Sequence, residues 1–245
     1  MEIHKPKPVR AWRDFLSEMS VIVLGILIAL TGELLIETLH WRYQVKETED
    51  RLTQELFANV AEATVRLRTA SCVEKRLDEV EAIIDDAEKS GKLPAVGNLN
   101  RPIFYLWGHG NWDSAVASQT TTHFPAATLA NFAVAYQFIT RLGELNQKEL
   151  EAWTELWMVV GPGRPFDASA ARDARVALSH ARLLGREMVV MSRGLIDRFK
   201  ALNLRPQMTA RVRDLENQMR APSSAYGICQ PIGKTISPIY GQAPL

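Results

Sequence analysis

Few residues in this chain have the types and spacing to do chemistry. His109, Asp113 and His123 fall in one short stretch. Two imidazoles and a carboxylate can ligate zinc or activate water, but the spacing matches no established metal motif. Histidines beside tryptophans such as Trp107 and Trp112 are more often packing or surface residues. Glu33, Glu37 and His40 stand at i, i+4 and i+7 on one helical face. Glu37 and His40 have the Glu-x-x-His spacing of di-iron bundles, which need a second copy and further glutamates from neighbouring helices. No second copy occurs in the chain, so the group reads as a polar turn at an interface. Gly233-Lys234-Thr235 resembles the end of a phosphate-binding loop, yet Ile228 stands where the motif requires its first glycine. No catalytic residue, metal ligand or cofactor is assigned.

Cys72 and Cys229 are the only cysteines, and their separation excludes a zinc cluster or a Cys-x-x-Cys redox motif. If the body is exported to an oxidising compartment, an even count predicts one disulfide fastening the tail to the first long helix. In the chain-entropy model such a closure contributes on the order of 5 kcal/mol.

The elements that must position these groups begin with Trp12 to Tyr43. Its uncharged run, Met19 to Gly32, is 14 residues long, short for a bilayer span. The window Phe15 to Leu34, however, holds only Glu18 and Glu33 as charges, one near each end. Trp12 and Trp41 are 29 positions apart, about 43 Å along a helix, which matches the roughly 40–45 Å of a bilayer with headgroups. Trp12, Glu33, Trp41 and Tyr43 therefore read as membrane-interface residues. A cleaved signal peptide fits less well, because Ala29-Leu30-Thr31 is a poor cleavage site and the helical pattern runs through it. Lys5, Lys7, Arg10 and Arg13 precede the span, whereas Arg42, Lys46 and Arg51 follow it among Glu47, Glu49 and Asp50. That bias predicts the N-terminus inside and the body outside. Gly25, Ala29 and Gly32 line one face with small residues, a surface for helix–helix packing in the membrane and hence for a homodimer.

From Trp41 apolar residues recur at helical spacing to Ala87, with Glu and Asp on the other faces, and Gly91 is the stop. Residues 91–111 read as a long connection carrying the apolar island Ile103 to Trp107. Asn111 is expected to cap a short helix over Trp112 to Ser118. The next helix follows Pro125, with a kink or break near Gly143 and the capping-box pair Asn146 and Glu149. Gly161 to Pro165 is a turn, Asp167 an N-cap, and a third long helix follows with arginines opposite the acids of the first. Their complementarity predicts antiparallel neighbours. A short helix over Met208 to Met219 precedes a tail rich in Pro, Gly and Ser.

Net charge is +1 and 47% of residues are hydrophobic. Neither points to nucleic acid, and the Arg-rich helix lacks the aromatic interleaving of a single-strand binder.

Val23-Leu24-Gly25-Ile26-Leu27-Ile28-Ala29-Leu30 with an acid shortly after, and Trp112-Asp113-Ser114-Ala115-Val116-Ala117-Ser118, resemble a family of bacterial proteins with one N-terminal membrane helix and a helical body. The likeness covers the anchor and up to the first 160 residues. It implies architecture and carries no activity to transfer.

The expected protein is all-α: a basic cytoplasmic arm (1–14), a transmembrane helix (15–40) continuous with the first helix of an elongated antiparallel helical bundle (41–220), and an irregular tail (221–245). It is expected in a bacterial inner membrane with its body in the periplasm, acting in binding or scaffolding. Its partners would be the lipid bilayer, a second copy through the membrane helix and other envelope proteins, with no nucleic acid. The alternative is a metal-dependent or hydrolytic membrane-associated enzyme using His109, Asp113 and His123.

Overall fold

The computed structural model describes residues 12–94, 96, 98–159 and 165–233. Among these the protein is all-α, with helices α1 (Trp12–Ser90), α2 (Gly110–Ala117), α3 (Ala126–Val159), α4 (Ala168–Leu202) and α5 (Ala210–Arg220). The basic arm to residue 11, residues 160–164 of the turn and the tail beyond Gly233 lie outside the described residues. Trp12, Arg13 and Asp14, expected in the arm, already belong to α1.

The chain divides into two compact units, Met1–Glu47 and Thr48–Leu245. The first contains the apolar part of α1, and the helix continues without interruption into the second. It ends where Gly91 takes a φ of 68°, a left-handed conformation that glycine adopts without steric cost, and donates its N–H to the Ala87 carbonyl.

In the second unit three long helices share a core. Leu52, Leu56, Leu77 and Ile84 of α1 are buried, as are Phe132, Ile139, Trp153 and Leu156 of α3 and Ala174, Leu178, Met188 and Leu195 of α4. The contacts fix the directions. Tyr136 donates to Glu55 and Arg66 pairs with Glu149, so α3 runs parallel to α1. Arg186 meets Glu74, Arg182 meets Asp78 and Arg175 meets Asp85, so α4 runs antiparallel to both. The charge complementarity of α1 and α4 thus becomes a ladder of ion pairs. Asp167 caps α4 by accepting from the N–H groups of Ser169 and Ala170, as its sequence position suggests.

The parallel arrangement of α1 and α3 accounts for the long connection. The chain leaves α1 at Gly91 and must return to Asn59, whose side chain grips both the N–H and the carbonyl of Gly108. That return covers 32 helical residues, about 48 Å, and the 17 residues from Gly91 to Gly108 reach at most about 60 Å. The connection is therefore drawn nearly straight along the bundle, burying Leu93, Leu99 and Trp107. Among the described residues no strand forms there, and the single bridge joins Lys92 to Pro165.

Two local expectations are corrected. α3 does not break near residue 146, because the capping-box residues are used elsewhere: Asn146 donates to the Tyr105 carbonyl at 3.0 Å and Glu149 pairs with Arg66. Asn111 does not cap α2 but lies within it, its N–H donating to Glu55 at 2.9 Å.

Candidate functional site

The apolar surface of α1 is the most distinctive surface of the first unit. Four consecutive residues, about 100° apart around the helix, are all exposed: Val21 70%, Ile22 59%, Val23 47% and Leu24 59%. The segment from Phe15 onward is long and apolar enough to cross a membrane, and none of its most apolar window is buried within the protein. The hydroxyls of Ser20, Thr31 and Thr38 each donate to the carbonyl four residues back, at 2.6–2.7 Å. Each hydroxyl is thereby satisfied within its own helix, as are those of Thr53, Thr64 and Thr69 further along α1. Trp12 and Tyr43 are exposed, Trp41 is half-buried and Glu33 is exposed. A Cβ added at Gly25 or Gly32 would meet nothing within 4 Å, and Ala29 between them is exposed.

In the second unit Cys72 and Cys229 lie at disulfide distance, with Cα atoms 4.9 Å apart. The tail has more hold than its composition suggests: Tyr226 and Ile228 are buried in the main core, and the Tyr226 hydroxyl donates to the Gln218 carbonyl. Arg76 reaches the Gln230 carbonyl, and Gly233 donates to Asn98 of the connection.

His109 and Asp113 do come together. The imidazole Nδ1 lies 2.7 Å from a carboxylate oxygen of Asp113, both side chains being exposed. They line a cleft of about 410 Å³ together with Trp112, Tyr136, Gln137, Thr140, Arg141 and Glu144. Trp112 stacks on Tyr136 at 4.9 Å, and the Tyr136 hydroxyl donates to Glu55. Burial, and then the nearby Glu55 carboxylate, push the Tyr136 phenol well above its usual range. His123 sits on the 3₁₀ turn Thr120–His123 and does not line this cleft. Among the described residues no three His, Cys, Asp or Glu side chains are grouped to hold a metal ion. Glu37 and His40 likewise join no such group.

The charged groups that sequence reasoning missed are inside the body. Arg66 and Glu149 form an ion pair with each side chain only 3% exposed. Burial raises the Glu149 carboxyl above its ordinary range, against the pull of Arg66. At Gly185 of α4 a Cβ would meet Arg66 Nη2 at 3.5 Å, leaving room for a methyl and little more. One turn before Arg66, burial pushes the Glu62 carboxyl up to about 8, opposed by Arg211 of α5, and its Oε2 has no hydrogen-bond partner among the described residues. A signal existed: Arg66 falls on the three-and-four spacing of Ala63, Thr69 and Val73, and Glu149 on that of Leu142, Leu145 and Trp153.

No protein-family model, curated protein or solved structure matches the chain.

Proposed function

We propose that this is a single-pass protein of a bacterial inner membrane, with a cytoplasmic N-terminus and a periplasmic helical body that binds or scaffolds other envelope components. The observation that carries the reading is the all-round apolar surface of α1, none of whose most apolar window is buried within the protein. Water would make that surface costly; lipid suits it. The cysteine pair agrees with an exported body, because such bonds persist in oxidising compartments. Gly25, Ala29 and Gly32 offer the face by which two anchors would pack, making a second copy and other envelope proteins the expected partners.

A C-terminal reporter active only in the periplasm tests the orientation, combined with thiol labelling of unreduced protein in native membranes. An active reporter and no reactive thiol are expected. A silent reporter with two free thiols would overturn both export and the bond.

The enzymatic alternative now narrows to the His109–Asp113 pair at its cleft. A stoichiometric metal in purified protein, lost in His109→Ala, would favour it.

A further inference from the structure

We propose that the segment from Arg198 to Arg213 docks the body onto anionic lipid headgroups; this rests on the membrane-anchored reading above. Its sixteen residues contain Arg198, Lys200, Arg205, Arg211 and Arg213 and no carboxylate. The contrast with the first half of α4 is internal to the molecule. There Arg175, Arg182 and Arg186 are neutralised by Asp85, Glu88, Asp78, Glu81 and Glu74 of α1. In the later segment Lys200 has only Asp197 at 3.5 Å and Arg211 acts on Glu62, while Arg198, Arg205 and Arg213 enter no ion pair among the described residues.

The placement of the segment is set by the chain. The Phe199 ring lies 6.0 Å from Phe57, and Gln207 donates to Asp50 at 3.2 Å, so the segment sits at the end of the body where α1 enters it. Asp50 is nine residues beyond Trp41, and connectivity alone keeps it within about 30 Å of a membrane surface at Trp41. The backbone is held rather than loose. Asn203, left-handed with a φ of 51°, ends α4, and Thr209 caps α5 by accepting from Val212. Between them Met208 is 62% exposed and Arg205 is exposed.

Cations around an exposed apolar side chain suit a headgroup interface, where the charges attract anionic lipid and the apolar group enters the acyl boundary. Each basic residue brought to such a surface multiplies docking about fivefold. Single-stranded nucleic acid fits less well, because the segment presents no row of exposed rings for bases to stack on.

The test is backbone hydrogen exchange of residues 198–213 in the full-length protein, reconstituted in nanodiscs of phosphatidylcholine alone or with one-third phosphatidylglycerol. Exchange should slow several-fold with the anionic lipid, and high salt should abolish the difference. Arg205→Glu with Arg213→Glu should abolish it too, while the corresponding lysine pair keeps it. Equal exchange in both discs, with the protein inserted in both, overturns the docking surface and leaves the anchor standing. Slowing in neutral discs that grows with protein density would assign the segment to a second copy and overturn lipid docking. Failure to insert into neutral discs overturns the anchor reading and the docking surface together.

Discussion

The two parts of α1 place their apolar side chains in opposite ways. Between Phe15 and Leu39 the hydroxyls of Ser20, Thr31 and Thr38 turn back onto their own helix, and apolar side chains cover every face. Between Thr48 and Ser90 the apolar side chains form one buried stripe; the hydroxyls of Thr53, Thr64 and Thr69 again turn back onto the helix, but the longer polar side chains reach other elements: Glu55 to Tyr136 and Asn111, Asn59 to Gly108, Arg66 to Glu149, Arg76 to Gln230. One helix is thus built for two surroundings. Where the helix packs, its longer polar side chains specify which neighbour lies where.

The comparison breaks most decisively in the first part. Leu24→Lys with Ile28→Lys places two charges at mid-span, at roughly 2.5–3.5 kcal/mol each. The doubly substituted protein should appear in the supernatant after alkaline carbonate extraction, whereas the native protein stays with the membrane. Retention of the variant would show that the segment does not lie in hydrocarbon.

In the second part, Arg66→Met strands a buried carboxylate, and denaturant unfolding in detergent should report a loss of about 3–5 kcal/mol. Adding Glu149→Leu should restore most of it, since an apolar pair of similar volume avoids the desolvation of two charges. If the double variant is no more stable than the single one, the pair does more than fill and specify the core.

A smaller effect belongs to Glu62. Its folded carboxyl titrates near 8, above the 4.5 expected without the fold. The folded state therefore holds a proton that the unfolded chain releases across that interval. Stability from this group is fully present below about pH 4.5 and is lost as pH rises through about 8. Glu62→Gln should flatten that decline and add about 1–2 kcal/mol at the alkaline end, read from unfolding curves at several pH values. An unchanged pH profile would mean that Glu62 is ionised and solvated in the folded protein.

The elements were legible wherever a residue's role is local. The spacing of Leu52, Leu56, Leu77 and Ile84 marks a buried helical stripe, Gly91 ends it, and Asp167 caps α4, because each depends on chain within a few turns. Asn146 and Glu149 misled for the opposite reason. Their spacing is that of a local cap, but the Tyr105 carbonyl lies 41 residues away and Arg66 83 residues away. Long-range partners override local propensity and leave no mark in the neighbouring sequence. His123 belonged with His109 only by proximity along the chain; the 3₁₀ turn that carries it stands outside the His109 cleft. The juxtaposition of Cys72 and Cys229 was inferable only because there was no third cysteine to choose.

The pairing of α1 with α4 also orders events in time. Asp85 and Glu74 wait for arginines made 90 and 112 residues later, and Cys72 for a partner 157 residues away. The α3–α4 hairpin joins neighbours in the chain, but the α1–α4 pairing must wait for chain made much later. While the chain is still emerging, Glu74, Asp78 and Asp85 face water without their arginine partners. Closure comes when α4 arrives, and the tail can be fastened only after that.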